Sequence, residues 1–171
     1  MGSRLEKGHP DKGLATISSG RRGPAPDPAK LAGGCQCGRV RYRLSMAPEG
    51  VHYCHCRMCQ RAVGNIFAAL APVRKTAIAW QGEPGFFRSS SAATRGYCRD
   101  CGTPLTFAYD KSEWICVTVG SLDHPAAVRP EIHYGVESQV PWFHLEDGLK
   151  RETTEEASQY LAGMVNHQAQ F

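Results

Sequence analysis

In "GRVRYRL", residues 38–44, apolar Val40, Tyr42 and Leu44 alternate with Arg39, Arg41 and Arg43. Alternation with a period of two marks a strand with one face buried. The same short rhythm returns in "VHYC", "NIFAALAPV", "TAIAW", "GFFRSS", "TRGYC", "TPLTFAYD", "WICVTVGSL" and "EIHYGV", with Gly, Pro, Asn or Asp between most of them. Many short strands so spaced predict a mainly β fold of layered antiparallel sheets. No internal repeat organises them.

The period changes near the C-terminus. Thr153 followed by Glu156 is a capping-box signature, and Ala157, Tyr160, Leu161, Met164 and Val165 then recur along one helical face. One C-terminal helix is expected within residues 151–171, packed on the sheets and fraying at "HQAQF". Residues 1–30 show neither period. Rich in Gly, Pro, Ser and charge, they cannot bury a core and are expected to form a disordered leader, with "PAPDP" as an extended spacer. Residues 31–150 remain as the folded domain.

Composition adds where the chain can work. The 171 residues carry a formal charge of +4. Most of it sits in the leader, where Arg4, Lys7, Lys12, Arg21, Arg22 and Lys30 outweigh Glu6, Asp11 and Asp27. The body is nearly balanced, so it offers no electrostatic footprint for nucleic acid and suits small molecules instead. No apolar run matches a secretory signal or a membrane span, which points to the cytoplasm, where thiols stay reduced. Eight cysteines in that setting read as metal ligands rather than disulfides.

Their spacing is C-x-C, then C-x-C-x2-C, then C-x2-C-G, then a lone Cys116. On an extended segment, side chains two apart leave the same face, so Cys35 and Cys37 can grip one ion beside Gly33, Gly34 and Gly38. Cys98 and Cys101 sit on a turn closed by Gly102. Together these two pairs supply four thiolates, the donor set of a closed structural zinc. Cys54, Cys56 and Cys59 remain as a trio. His55 lies between two of them, but alternation turns it to the opposite face. Three thiolates without an evident fourth partner describe an open zinc site that keeps one position for water or substrate. A thiol entering there would lose its proton and become a nucleophile. The alternative is a second closed site finished by a distant residue, in a non-catalytic two-zinc structural or interaction module. Cys116 reads as a buried inert thiol, and His124, His133 and His144 as ordinary histidines.

"GGCQCGRVRY", "CHCRMCQRAVG", "YCRDCGTPL" and "PWFHLEDGL" resemble the glutathione-dependent formaldehyde-activating enzyme family, also called the centromere protein V/GFA domain, over about residues 31–150. The resemblance implies a β-tent of layered antiparallel sheets built around two zinc ions per chain. Cys35, Cys37, Cys98 and Cys101 would hold the structural zinc, and Cys54, Cys56 and Cys59 the catalytic one. The implied reaction is that of a carbon–sulfur lyase, joining a small thiol such as glutathione to a small aldehyde or separating them.

Arg57 and Arg61 flank the trio as candidate anion contacts, and Trp142 is a candidate pocket wall, each with a surface or packing role as the alternative. Arg39, Arg41 and Arg43 read first as a solvated strand face. Exposed strand edges would allow a homodimer.

Overall fold

The computed structural model describes residue 27 and residues 31–157, 159–161 and 163–165. The expected leader over 1–30 (Asp27 apart) and the fraying "HQAQF" lie outside the described residues.

Two sheets make the fold. The smaller has three strands in the order β1 (Ala32–Gly34), β2 (Arg41–Leu44) and β5 (Ile78–Gln81), all antiparallel. The larger joins β3 (His52–Cys54), β4 (Ala68–Arg74), β6 (Gly85–Arg88), β7 (Ala93–Tyr97), β8 (Pro104–Tyr109), β9 (Trp114–Thr118), β10 (Ile132–Tyr134) and β11 (Lys150–Glu152). Its order is β11-β10-β3-β4-β9-β8-β7-β6. The mainly β expectation holds, and the segments with period-two alternation are the strands. One edge departs from it: β10 runs parallel to both β3 and β11. Long stretches of chain separate these strands, so no hairpin forces them antiparallel.

Period two also explains why β4 lies at the centre. Ala71 and Val73 on one face join Val40, Tyr42, Leu44 and Leu105 in the core between the sheets, together with Val117 of β9. Ala68 and Leu70, on the opposite face, join Cys59 and Cys116 in a second cluster. Arg41 turns outward, as alternation requires, and pairs bidentately with Asp123. Close approach is built in at Gly33, which bridges to Leu122. A Cβ there would stand 2.4 Å from the Ser121 carbonyl oxygen.

Helix is sparse. A seven-residue helix that the sequence pattern did not announce, α1 (Arg57–Val63), follows β3. The C-terminal capping box does form: the Thr153 N–H donates to Glu156 Oε2 at 2.8 Å, and the Glu156 N–H to Thr153 Oγ1 at 3.2 Å. The long helix expected beyond it does not. α2 (Thr154–Ala157) is a single turn, followed by a 3-10 turn over Gln159–Leu161. Val165 instead meets the 88–93 turn, where the Ser91 N–H donates to its carbonyl at 2.9 Å and its own N–H reaches Ser91 Oγ at 2.8 Å. So short a helix has little stability of its own, and packing against the sheet decides its path. No helix among the described residues is long and apolar enough to cross a membrane.

Candidate metal centres

All eight cysteines are free thiols, and seven fall into two groups. The first joins Cys35, Cys37, Cys98 and Cys101, whose sulfurs all lie within 4.8 Å of one another. Cys35 and Cys37 occupy the turn after β1, where the Cys35 N–H bonds the Val40 carbonyl and the Val40 N–H bonds Cys35 Sγ at 3.3 Å. Cys98 and Cys101 occupy the turn between β7 and β8, closed by the Gly102 N–H on the Cys98 carbonyl. The Gln36 N–H donates to Thr103 Oγ1 at 3.1 Å, tying one turn to the other. The group therefore fastens the small sheet to the large one.

Cys35 and Cys37 sulfurs are 3.4 Å apart, and Cys37 and Cys98 sulfurs 3.7 Å. Four sulfurs about 2.3 Å from a tetrahedral ion would stand roughly 3.8 Å apart, so the donor set fits a soft, four-thiolate metal. The Thr103 hydroxyl beside Cys101 pulls that thiol down to about 5.

The second group is Cys54, Cys56 and Cys59, again within 4.8 Å, with Cys54 and Cys56 sulfurs 3.4 Å apart. Cys54 ends β3, Cys56 caps α1, and Cys59 lies on the helix's first turn. The Cys59 N–H donates to Cys56 Sγ at 3.4 Å. The x2 spacing thus places one sulfur at the cap and one a turn later, facing the same point. Gln60, buried behind them, donates to the carbonyls of His55 and Ser138. No His, Asp or Glu among the described residues joins this trio. Hydrogen bonds from Cys54 and Cys56, aided by the Arg95 charge, hold the Cys59 thiol well below its ordinary range. Hydrogen bonds with Cys56 and Cys59, together with burial, push the Cys54 thiol well up.

Arg95, on β7, is a buried cation beside the trio that the strand pattern concealed. It is 8 % exposed, and its Nη2 lies 3.4 Å from Cys59 Sγ. Its guanidinium carbon sits 4.7 Å from the centre of the Phe107 ring. A signal was present: Ala93 and Arg95 share one phase of β7, so a cation stands on the strand's buried face.

The trio borders a cavity of about 90 Å³ whose walls include Leu70, Phe107, Trp114, Tyr134, Leu161 and Met164. The segment after α2 contributes Tyr160, Leu161 and Met164, and Tyr160 packs 4.6 Å from Tyr109 across it. A second cavity of about 400 Å³ adjoins and shares Met58, Leu70, Phe107 and Arg95 with the first. Arg61 lines this larger space. Arg57 instead turns back to the Gln60 side chain. Trp142 is 72 % exposed, packs on Phe143 and borders neither of these two cavities. Cys116 is buried near the trio, and burial pushes its thiol up to about 12.

His55 faces away from the sulfurs, as alternation required, and is 1 % exposed. It stacks on His133, which joins neither sulfur group and is fully buried, deeper than the polar or partly buried position expected. His124 and His144 are exposed.

The profile of a family described as glutathione-dependent formaldehyde-activating enzyme matches residues 30–138. An uncharacterised lyase of Schizosaccharomyces pombe is 31% identical over 77 residues, which is 45% of this chain and 56% of that protein. The chain thus spans little more than half the length of this relative. A solved structure of a Rhodobacter sphaeroides protein is similar over 72% of this chain and 100% of its own, with 22% identity and a TM-score of 0.49.

Proposed function

The chain belongs to the glutathione-dependent formaldehyde-activating enzyme family, and from that premise we propose that it works as a carbon–sulfur lyase. It joins a small thiol of the glutathione kind to a small aldehyde, or separates the two. Cys54, Cys56 and Cys59 form the reactive centre, and Cys35, Cys37, Cys98 and Cys101 the structural one. Zinc suits both, because every donor is a thiolate and tetrahedral sulfur spacing matches the distances.

Held by Cys54, Cys56 and Cys59, a zinc ion would supply the Lewis acidity that makes an added thiol a nucleophile near neutral pH. The chain's own residues do the rest. The trio offers three donors and borders the apolar cavity. Phe107, Trp114, Tyr134 and Leu161 keep that space poor in water, which favours the free carbonyl over its hydrate. The larger cavity has room for the body of a peptide-like thiol, with Arg61 on its wall for a carboxylate.

One observation carries this reading. One sulfur group has four donors and staples two sheets, while the other has three and borders a cavity. The test is thiol–aldehyde turnover in Cys56→Ser, a change at a donor rather than in the core. Turnover should vanish while the chain still folds and the foursome keeps its metal. Undiminished turnover would contradict the assignment and leave a structural two-metal module.

A further inference from the structure

A buried guanidinium is costly unless its donors are used. Arg95 is 8 % exposed, with one N–H on Cys59 Sγ and its flat face over Phe107. Its Nε is buried and has no partner. The same side chain lines both cavities, beside the trio. A guanidinium whose hydrogen-bonding capacity is not filled therefore lines a largely apolar space at the centre where the lyase reading places the chemistry.

We propose that Arg95 is a catalytic residue, its guanidinium holding the oxygen of a carbonyl substrate while sulfur adds to the carbon. The proposal rests on the lyase reading above and names the partner that occupies the small cavity. As the sulfur lone pair forms the C–S bond, the carbonyl π pair moves onto oxygen. That oxygen accepts the Arg95 N–H, then takes up a proton equivalent to the one the thiol released. In the reverse direction the same oxyanion reforms the carbonyl as the C–S bond breaks. A donor that binds charge as it develops, in a site with little water, lowers the barrier in both directions.

The cavity also limits the substrate. At about 90 Å³ it is smaller than the roughly 150 Å³ apolar cavity known to take benzene. Its walls include Leu70, Phe107, Trp114, Tyr134, Leu161 and Met164, with Arg95 among them. The space beside the trio therefore suits a small carbonyl compound, one that carries hydrogen or a short alkyl group.

The test uses the full chain loaded with cobalt(II), titrated separately with thioglycolate and with ethanethiol. Both place a sulfur on the metal, and only the first brings an anionic oxygen to Arg95. Affinities are read from the sulfur-to-cobalt charge-transfer band. Wild type should bind thioglycolate about tenfold tighter or more. Arg95→Gln should erase this preference while keeping its affinity for ethanethiol, and Arg95→Lys should restore part of it. An equal preference in Arg95→Gln, or none in wild type, overturns the proposal. Should Arg95→Gln fail to hold both metals, the wild-type ratio and Arg95→Lys decide. If neither thiol perturbs the wild-type spectrum, the open-centre reading itself fails and this proposal with it. If ethanethiol binds without any preference for thioglycolate, only the role of Arg95 falls.

Discussion

His55 Nε2 and His133 Nδ1 lie 2.7 Å apart, buried directly behind the loop that carries Cys54 and Cys56. Asp147 Oδ2 is 2.8 Å from His133 Nε2, and a carboxylate only accepts, so His133 donates there. The chain from Asp147 to His55 holds the trio's loop from the face opposite the sulfurs. Beside it, the His55 N–H donates to the Tyr134 carbonyl at 2.8 Å, extending the β3–β10 pairing.

Cutting that chain should loosen one centre and spare the other. His133→Phe leaves His55 without a partner and should cost about 1–3 kcal/mol of stability. Competition with a chelator should strip metal faster from the trio than in wild type, with the four-thiolate centre unchanged. Equal acceleration at both centres would show that the change merely weakens the whole fold.

The same histidine gives stability a pH dependence of definite sign. Burial, reinforced by His133, pushes His55 down to about 4, against about 6.5 in an unfolded chain. Between these values the unfolded state binds more protons, so stability is full above about pH 6.5 and falls as pH drops toward 4. The loss amounts to about 2–4 kcal/mol. Denaturant unfolding of wild type and His55→Asn across this range should show a steeper fall in wild type. Parallel curves would contradict the assignment.

Gly135 has φ of +67° and packs directly on the trio. An added Cβ would stand 2.7 Å from the Cys56 backbone nitrogen. Gly148 has the same φ, but an added Cβ there meets nothing within 4 Å. Gly148→Ala should therefore show only the backbone cost, about 1 kcal/mol. Gly135→Ala should cost more, up to about 3 kcal/mol, and should also weaken metal retention at Cys56. Similar melting temperatures and metal contents for the two variants would remove Gly135 from the site.

What could be read in advance follows from which signals are local. Strands showed themselves because Val40, Tyr42 and Leu44 must share a face within a few residues. The two thiol groups were legible because C-x-C and C-x2-C constrain geometry over one turn, and the remaining partition left few choices. α1 escaped notice because seven residues hold too few apolar positions to show a stripe, although Cys56 caps it and Gly64 ends it. The apparent C-terminal helix misled for the opposite reason. Its apolar residues answer to the walls of a cavity, and Tyr160 packs on Tyr109 rather than along a straight helical face. His133 and Asp147 meet across a loop of irregular path, so no periodicity joins them.

The account depends most on the trio holding an ion that still accepts a thiol. Zinc and bound glutathione, measured after gel filtration in wild type and in Cys56→Ser, test this directly. Two zinc ions per chain are expected in wild type, one for each sulfur group, with glutathione retained at half that amount. Cys56→Ser should lose both the glutathione and the zinc of the trio while keeping the zinc of the foursome. Wild-type protein that holds two zinc ions yet retains no glutathione at any concentration would contradict the account.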